Sequence, residues 1–170
     1  AEAFPPTSTD NYRSAEENKE AVDAEIARLL RFGFIGEWKE VAAEIGTTAA
    51  KPTVVLAIGA VLRKGKIRIV IDASAPRGRS VNDSMDAPAT VLPNIAMAMA
   101  AMTVGGAAWK ADFVDAFLQS ALHPSSVPLC GLRWNGRTYA YRRLGFGFRS
   151  GPAHQQSVTL ETVWRCGRRC

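Results

Sequence analysis

The segment Trp109-Lys-Ala-Asp-Phe-Val-Asp-Ala-Phe-Leu-Gln119 decides how this chain is read. A short apolar approach ends in two acids, Asp112 and Asp115, placed where an extended run gives way to a turn of helix. Phe117 then follows the small Ala116. Mg²⁺ takes oxygen ligands, keeps several waters and is usually fixed by one or two carboxylates plus substrate phosphates. The order acid, acid, small residue, aromatic therefore suits a carboxylate that holds a hard divalent cation beside a nucleotide. The competing reading is a solvated acidic pair at the positive end of a helix dipole. A D-x-x-D match alone does not choose between them.

The bulk numbers narrow the setting. A length of 170 residues is one domain's worth of chain, or part of a larger one. With 47% hydrophobic and 22% charged residues, the composition is globular and neither disordered nor fibrous. No apolar run approaches the ~18 residues needed to cross a bilayer, so no membrane association is expected. The start Ala-Glu-Ala-Phe-Pro-Pro lacks the basic region and apolar core of a secretory signal, and no initiator Met is present. Cys130, Cys166 and Cys170 have no paired C-x-x-C spacing and read as reduced thiols in an intracellular (cytoplasmic or nuclear) protein. Neither His123 nor His154 has a metal-binding partner at usable spacing.

Charge is uneven. Residues 1–50 hold ten acids against five bases, whereas residues 51–170 hold sixteen bases against six acids. A basic body behind an acidic amphipathic segment is the footprint of a phosphate-backbone binder, the plainer alternative being solubilising charge.

Along the chain, residues 1–13 form a Pro/Ser/Thr-rich lead-in expected to be flexible. Ser14-Ala-Glu-Glu17 reads as a capping box opening a helix over about 15–32. Val22, Ile26, Leu29 and Leu30 fall on one face of it, and Gly33 supplies the stop. Residues 53–62 read as a buried strand, and Ile67-Arg-Ile-Val-Ile-Asp72 runs back against it. Ile67, Ile69 and Ile71 then share one face, Arg68, Val70 and Asp72 the other, with cations at the hairpin tip. Ile95, Met99 and Met102 sit at helical spacing and are expected to pack in the core. Strands near 129–134 and 138–143 flank an Asn135-Gly136 turn, and a helix starts at about 153.

In this order the pieces resemble a reverse transcriptase of the retrotransposon kind, over about residues 11–156. Residues 66–83, Lys-Ile-Arg-Ile-Val-Ile-Asp-Ala-Ser-Ala-Pro-Arg-Gly-Arg-Ser-Val-Asn-Asp, resemble that family's fingers hairpin and following loop. Residues 110–119 resemble its first catalytic palm motif, and Leu144-Gly-Phe-Gly-Phe-Arg-Ser-Gly-Pro-Ala153 its second. The resemblance implies an α+β fold of fingers plus partial palm, an antiparallel sheet with packed helices, truncated before the Asp-Asp strand. It divides the chain into a lead-in (1–13), fingers (14–88), palm (89–120), fingers again (121–150), and a palm helix with a divergent tail (151–170).

The resemblance also implies roles. Asp112 would bind both Mg²⁺ ions, helped by the backbone carbonyl of Phe113. Two-metal chemistry would activate a primer 3′-hydroxyl and stabilise the leaving pyrophosphate. Phe117, after Ala116, would pack against the sugar of an incoming dNTP and exclude a 2′-hydroxyl. Arg68 and Lys66 would clamp the triphosphate. Phe146 and Gly147 would line the same pocket, glycine permitting close approach. Asp115 would orient the site or lie near the sugar, and Gln119 and Arg149 are candidate template contacts. RNA or DNA template-primer and the rest of a longer polyprotein would be the partners.

The chain departs from that pattern in four places. No Asp-Asp pair occurs, so this chain alone is expected to be inactive. Gly145 stands where the second motif usually has Pro, and Gln155 where an aromatic usually packs. The tail from Trp164 to Cys170 resembles nothing in the family. Two alternatives stay open: a decayed or domesticated module that binds nucleic acid without catalysis, and a metal-dependent transferase using the D-x-x-D by itself.

Overall fold

A computed structural model describes residues 4–63, 66–86, 90, 94–100, 102, 104–106 and 112–167, without the side chains of residues 66, 98, 166 and 167. In chain order the elements are β1 (Thr7–Ser8), α1 (Arg13–Glu17), α2 (Lys19–Arg31), β2 (Ile35–Glu37), α3 (Trp38–Glu44) and β3 (Val54–Arg63). They continue with β4 (Lys66–Asp72), α4 (Ile95–Ala100), β5 (Gly131–Trp134), β6 (Arg137–Tyr141) and α5 (Gly151–Gly167). Trp109, Lys110 and Ala111, at the start of the acidic motif, lie outside the described residues.

β3 organises the sheet because it changes neighbours part-way along. Its first residues lie between β1 and β5, both parallel to it, with Thr7 opposite Val54 and Val55 opposite Gly131. From Ala57 onward it pairs antiparallel with β4, Ala57 opposite Asp72 and Arg63 opposite Lys66. The remaining order is β5–β6–β2. The sheet is therefore mixed, which corrects the antiparallel expectation. The reason is that β1 and β5 reach β3 by long connections, where no tight turn forces strand reversal. Val54 to Ala60 are buried without interruption, the pattern of a strand covered on both faces. Asn135 (φ 47°) and Gly136 (φ 73°) make the β5–β6 turn with two positive φ values, as a type I′ hairpin requires.

The lead-in carries structure. Thr7 N–H donates to Thr53 O, Thr9 N–H to Val55 O and Tyr12 N–H to Ile58 O. Asn11 accepts from Ile58 N–H and donates to Arg133 O. Hydrogen bonding to β3, and not periodicity, orders these residues.

The capping box does not form. Ser14 Oγ accepts from Ala60 N–H of β3, and Glu17 pairs with Arg13 at 2.7 Å, so neither side chain reaches the expected backbone groups. The expected single helix breaks at Asn18 (φ −117°, ψ 38°), whose side-chain amide donates to Ser14 O. Val22, Ile26 and Leu29 are buried as expected, but Leu30 faces solvent. Gly33 (φ 68°) ends α2 as expected, with Phe34 N–H bonded to Leu29 O and Gly33 N–H to Leu30 O. α3, absent from the sequence reading, ends the same way at Gly46 and buries Trp38, Val41 and Ala42.

The methionine stripe is also corrected. Ile95, Met97, Met99 and Met102 are all exposed, since helical spacing supplies an apolar face without supplying something to cover it. Asn94 Oδ1 accepts from Met97 N–H and starts α4.

Candidate nucleotide and nucleic-acid site

Three segments quoted from the sequence converge at the end of β4. The glycine-rich bend lies against Ile71: a Cβ at Gly147 would stand 2.3 Å from Ile71 O, and one at Gly145 3.1 Å from the Ile71 side chain. Gly147 also has φ 106°, which L side chains rarely adopt. Phe146 meets Phe117 edge-on, ring centres 5.1 Å apart. The Phe117 ring in turn lies within van der Waals reach of the space beside Gly151, where α5 begins. The end of β4, the bend and the short 3₁₀ turn Ala116–Gln119, which carries Ala116 and Phe117, thus lie together.

The two acids differ in their surroundings. Asp112 and Phe113 are exposed. Asp115 is half-buried in a left-handed conformation (φ 52°, ψ 43°), and both its oxygens accept from Arg28 of α2, at 2.8 and 3.2 Å. Arg28 is also bound by both oxygens of Glu25 at 2.8 Å. These two carboxylates, Glu25 first, raise the Arg28 guanidinium well above its ordinary value, so it stays charged.

Asn82 holds the bend. Its amide donates to Ser74 Oγ (2.8 Å) and Gly147 O (2.9 Å), and its oxygen accepts from Arg149 N–H (2.8 Å). Asn82 is itself buried, and a buried amide with its hydrogen-bonding capacity used fixes geometry. Next to it, Ser80 N–H and Oγ–H donate to one Asp83 oxygen, which holds the Asp83 carboxyl below its usual range. Tyr12 O–H donates to Asp72, which raises the phenol above its ordinary value and ties the lead-in to the base of the hairpin.

Arg68 is exposed on β4 opposite Val61, and the Lys66 side chain lies outside the described residues. Gln119 donates to Val114 O, closing its own turn. A depression of about 390 Å³ adjoins the site, lined by Ser120, Leu122, His123, Leu144, Ser150 and His154 among others. There His154 Nε2 and Ser120 Oγ are 2.9 Å apart.

Asn82, Arg28 and His154 have no functional role legible in the sequence. Asn82 lay inside a quoted motif, and the turn-forming Ser80-Val-Asn-Asp83 was its only signal. Arg28 carried a fainter one, an acid three residues before it on the helix.

The donor set of the described residues does not complete a two-ion centre. Among the described residues no three His, Cys, Asp or Glu side chains gather, and the Asp115 oxygens are turned to Arg28. One carboxylate and one carbonyl leave the charge of two divalent ions largely uncompensated.

Among solved structures, the chain is similar to the prototype foamy virus protease-reverse transcriptase, with TM-score 0.66 and 20% identity over 95% of this chain. The foamy viral enzyme in complex with RNA/DNA hybrid gives 0.69 and 15% over 96%. A form described as dRH, in complex with double-stranded DNA, gives 0.58 and 18% over 95%. The fold is reverse-transcriptase-like. The chain spans about a fifth to a quarter of those proteins' length: 20%, 20% and 24% respectively. No protein-family model matches it, and no curated protein does. No helix among the described residues is long and apolar enough to cross a membrane.

Proposed function

We propose that this chain is the fingers and front palm of a retrotransposon-type reverse transcriptase, which in its intact parent copies a template from dNTPs by two-metal phosphoryl transfer. The observation that carries the reading is the meeting of Phe117, Phe146, Gly147 and the end of β4 at one point, on a reverse-transcriptase-like fold. Asp112, which is exposed, would contribute one Mg²⁺ ligand together with the Phe113 carbonyl. The remaining ligands come from outside these 170 residues. Bound Mg²⁺ supplies charge neutralisation at the transferred phosphate.

This chain's own part is positioning. Arg68 and Lys66 meet the triphosphate, Ala116 and Phe117 the sugar, and Phe146 and Gly147 the base and template side. Template-primer binds the basic surface, and the fingers and palm divide near residues 88, 120 and 150. The foamy viral enzymes in complex with nucleic acid give this partner its support.

Primer extension with Mg²⁺ tests the reading. The 170-residue chain is expected to give no templated product, and a version continued through an aromatic-x-Asp-Asp strand is expected to extend the primer. Asp112→Asn in the continued version abolishes that product. A continued chain that binds template-primer but never extends it favours the non-catalytic binding module instead.

A further inference from the structure

We infer that Arg28 is a positioning residue. Its guanidinium holds Asp115 in the left-handed turn that seats Phe117 against Phe146, and so fixes the pocket wall that meets the sugar of an incoming nucleotide. The sugar part rests on the function proposed above; the clamp itself stands on geometry alone.

A residue other than glycine rarely takes a left-handed backbone; Asp is among those that do, its short polar side chain supplying a compensating hydrogen bond. At Asp115 the compensation comes from far along the chain, since 87 residues separate it from Arg28. The fork is two-pronged on both sides: two nitrogens reach Asp115 and two reach Glu25. Such planar pairing fixes orientation as well as distance, which a point-charge ammonium does not. Arg28 is itself held in place. Its helix neighbours Ile26 and Leu29 are buried, and its guanidinium lies 5.9 Å from the centre of the Phe32 ring. The turn that follows Asp115 carries Phe117 two residues later, with Leu118 buried beneath it. A shift in the Asp115 backbone is therefore transmitted directly to the Phe117 ring.

Arg28→Lys keeps the charge and removes the fork. In isotope-labelled protein, wild type is expected to show a nuclear Overhauser cross-peak between the Phe117 and Phe146 rings, and Arg28→Lys to lose it. Chemical-shift titration with dATP and with ATP, each with Mg²⁺, reads even weak binding. The preference for the deoxy sugar is expected to fall toward one in Arg28→Lys, while its melting temperature changes little. A folded Arg28→Lys with the cross-peak and the preference both intact overturns the inference. If Arg28→Lys fails to fold, Asp115→Asn, which tolerates the same backbone but accepts from only one prong, must weaken the cross-peak. An unchanged cross-peak there overturns the clamp. Wild type that binds neither nucleotide, with the ring contact still responding to Arg28, overturns the sugar role and the nucleotide reading while the clamp stands.

Discussion

β3 and α4 are both strongly apolar, yet among the described residues the first seven of β3 are buried and those of α4 are exposed. In β3, Leu56, Ala57 and Ile58 are 1% exposed or less. In α4, Ile95 is 80% exposed and Met99 66%. The difference lies in their neighbours. β3 has strands on both edges, with α1, α2 and the 3₁₀ turn at Val127–Leu129 contributing to its surroundings. Apolar residues stabilise a fold through the area that something else removes from water. Hydrophobicity in a sequence is a demand for a partner, and it does not say whether the partner is present.

Truncating one residue in each element tests that contrast, with the largest expected effect. Leu56→Ala or Ile58→Ala should cost about 2–5 kcal/mol in urea denaturation, from lost transfer energy plus a cavity. Met99→Ala should stay within about 0.5 kcal/mol of wild type. If Met99→Ala destabilises as much as Leu56→Ala, α4 is covered in solution and the contrast fails.

The glycine-rich bend sharpens the comparison, because it is held by shape and hydrogen bonds more than by burial. Gly147→Ala should cost roughly 3 kcal/mol, combining a strained positive φ with a clash against Ile71 O. Gly46, also at positive φ but with open space around it, is the control, and Gly46→Ala should cost clearly less. Asn82→Ala follows at about 2 kcal/mol, since Arg149 N–H and Gly147 O lose their partner. Amide hydrogen exchange at Arg149 should rise in that variant. Unchanged protection would mean that the bend does not depend on Asn82.

Gln155 is the opposite of Asn82: a buried amide oxygen with no partner among the described residues. Gln155→Met removes the orphan acceptor and restores the apolar character expected at this place, so it should add about 1 kcal/mol of stability in the same denaturation assay. A neutral or destabilising result would show that the oxygen is satisfied in solution.

Much of the fold was legible because its signals are local. The hairpin pairing from Ala57 to Lys66, the Asn135-Gly136 turn and the Gly33 stop each follow from residues adjacent in sequence. What escaped was set by distant partners. Ser14 has the spacing of a cap, but the edge of β3 offers its hydroxyl a better donor in Ala60 N–H. The Met stripe has the spacing of a core face and nothing described lies on it. At the candidate site, Phe117 meets Phe146 edge-on and Gly147 lies against Ile71 O. The Arg28–Asp115 pair spans too much chain for any periodicity to announce it.

The smallest effect belongs to the rim of the enclosed region, where the contrast between burial and exposure narrows to one ion pair. Arg142 follows β6 and reaches Glu44 at the end of α3 with two bonds, of 2.8 and 2.5 Å, while a third nitrogen donates to Ile35 O. This hydrogen-bonded guanidinium holds the Glu44 carboxyl below its usual value. A depressed carboxylate contributes stability that is complete above its unfolded pKa and is lost as pH falls through the folded one. Glu44 is half exposed (52%), so solvent screening limits the contribution to about 0.2–1 kcal/mol. Glu44→Gln should therefore melt slightly below wild type at neutral pH. The difference should close as pH drops below the ordinary glutamate range, because wild type loses the ion pair and the variant has none to lose. A gap that persists unchanged at low pH would show that Glu44 acts through packing on α3, and that this rim is held by contact area as β3 is.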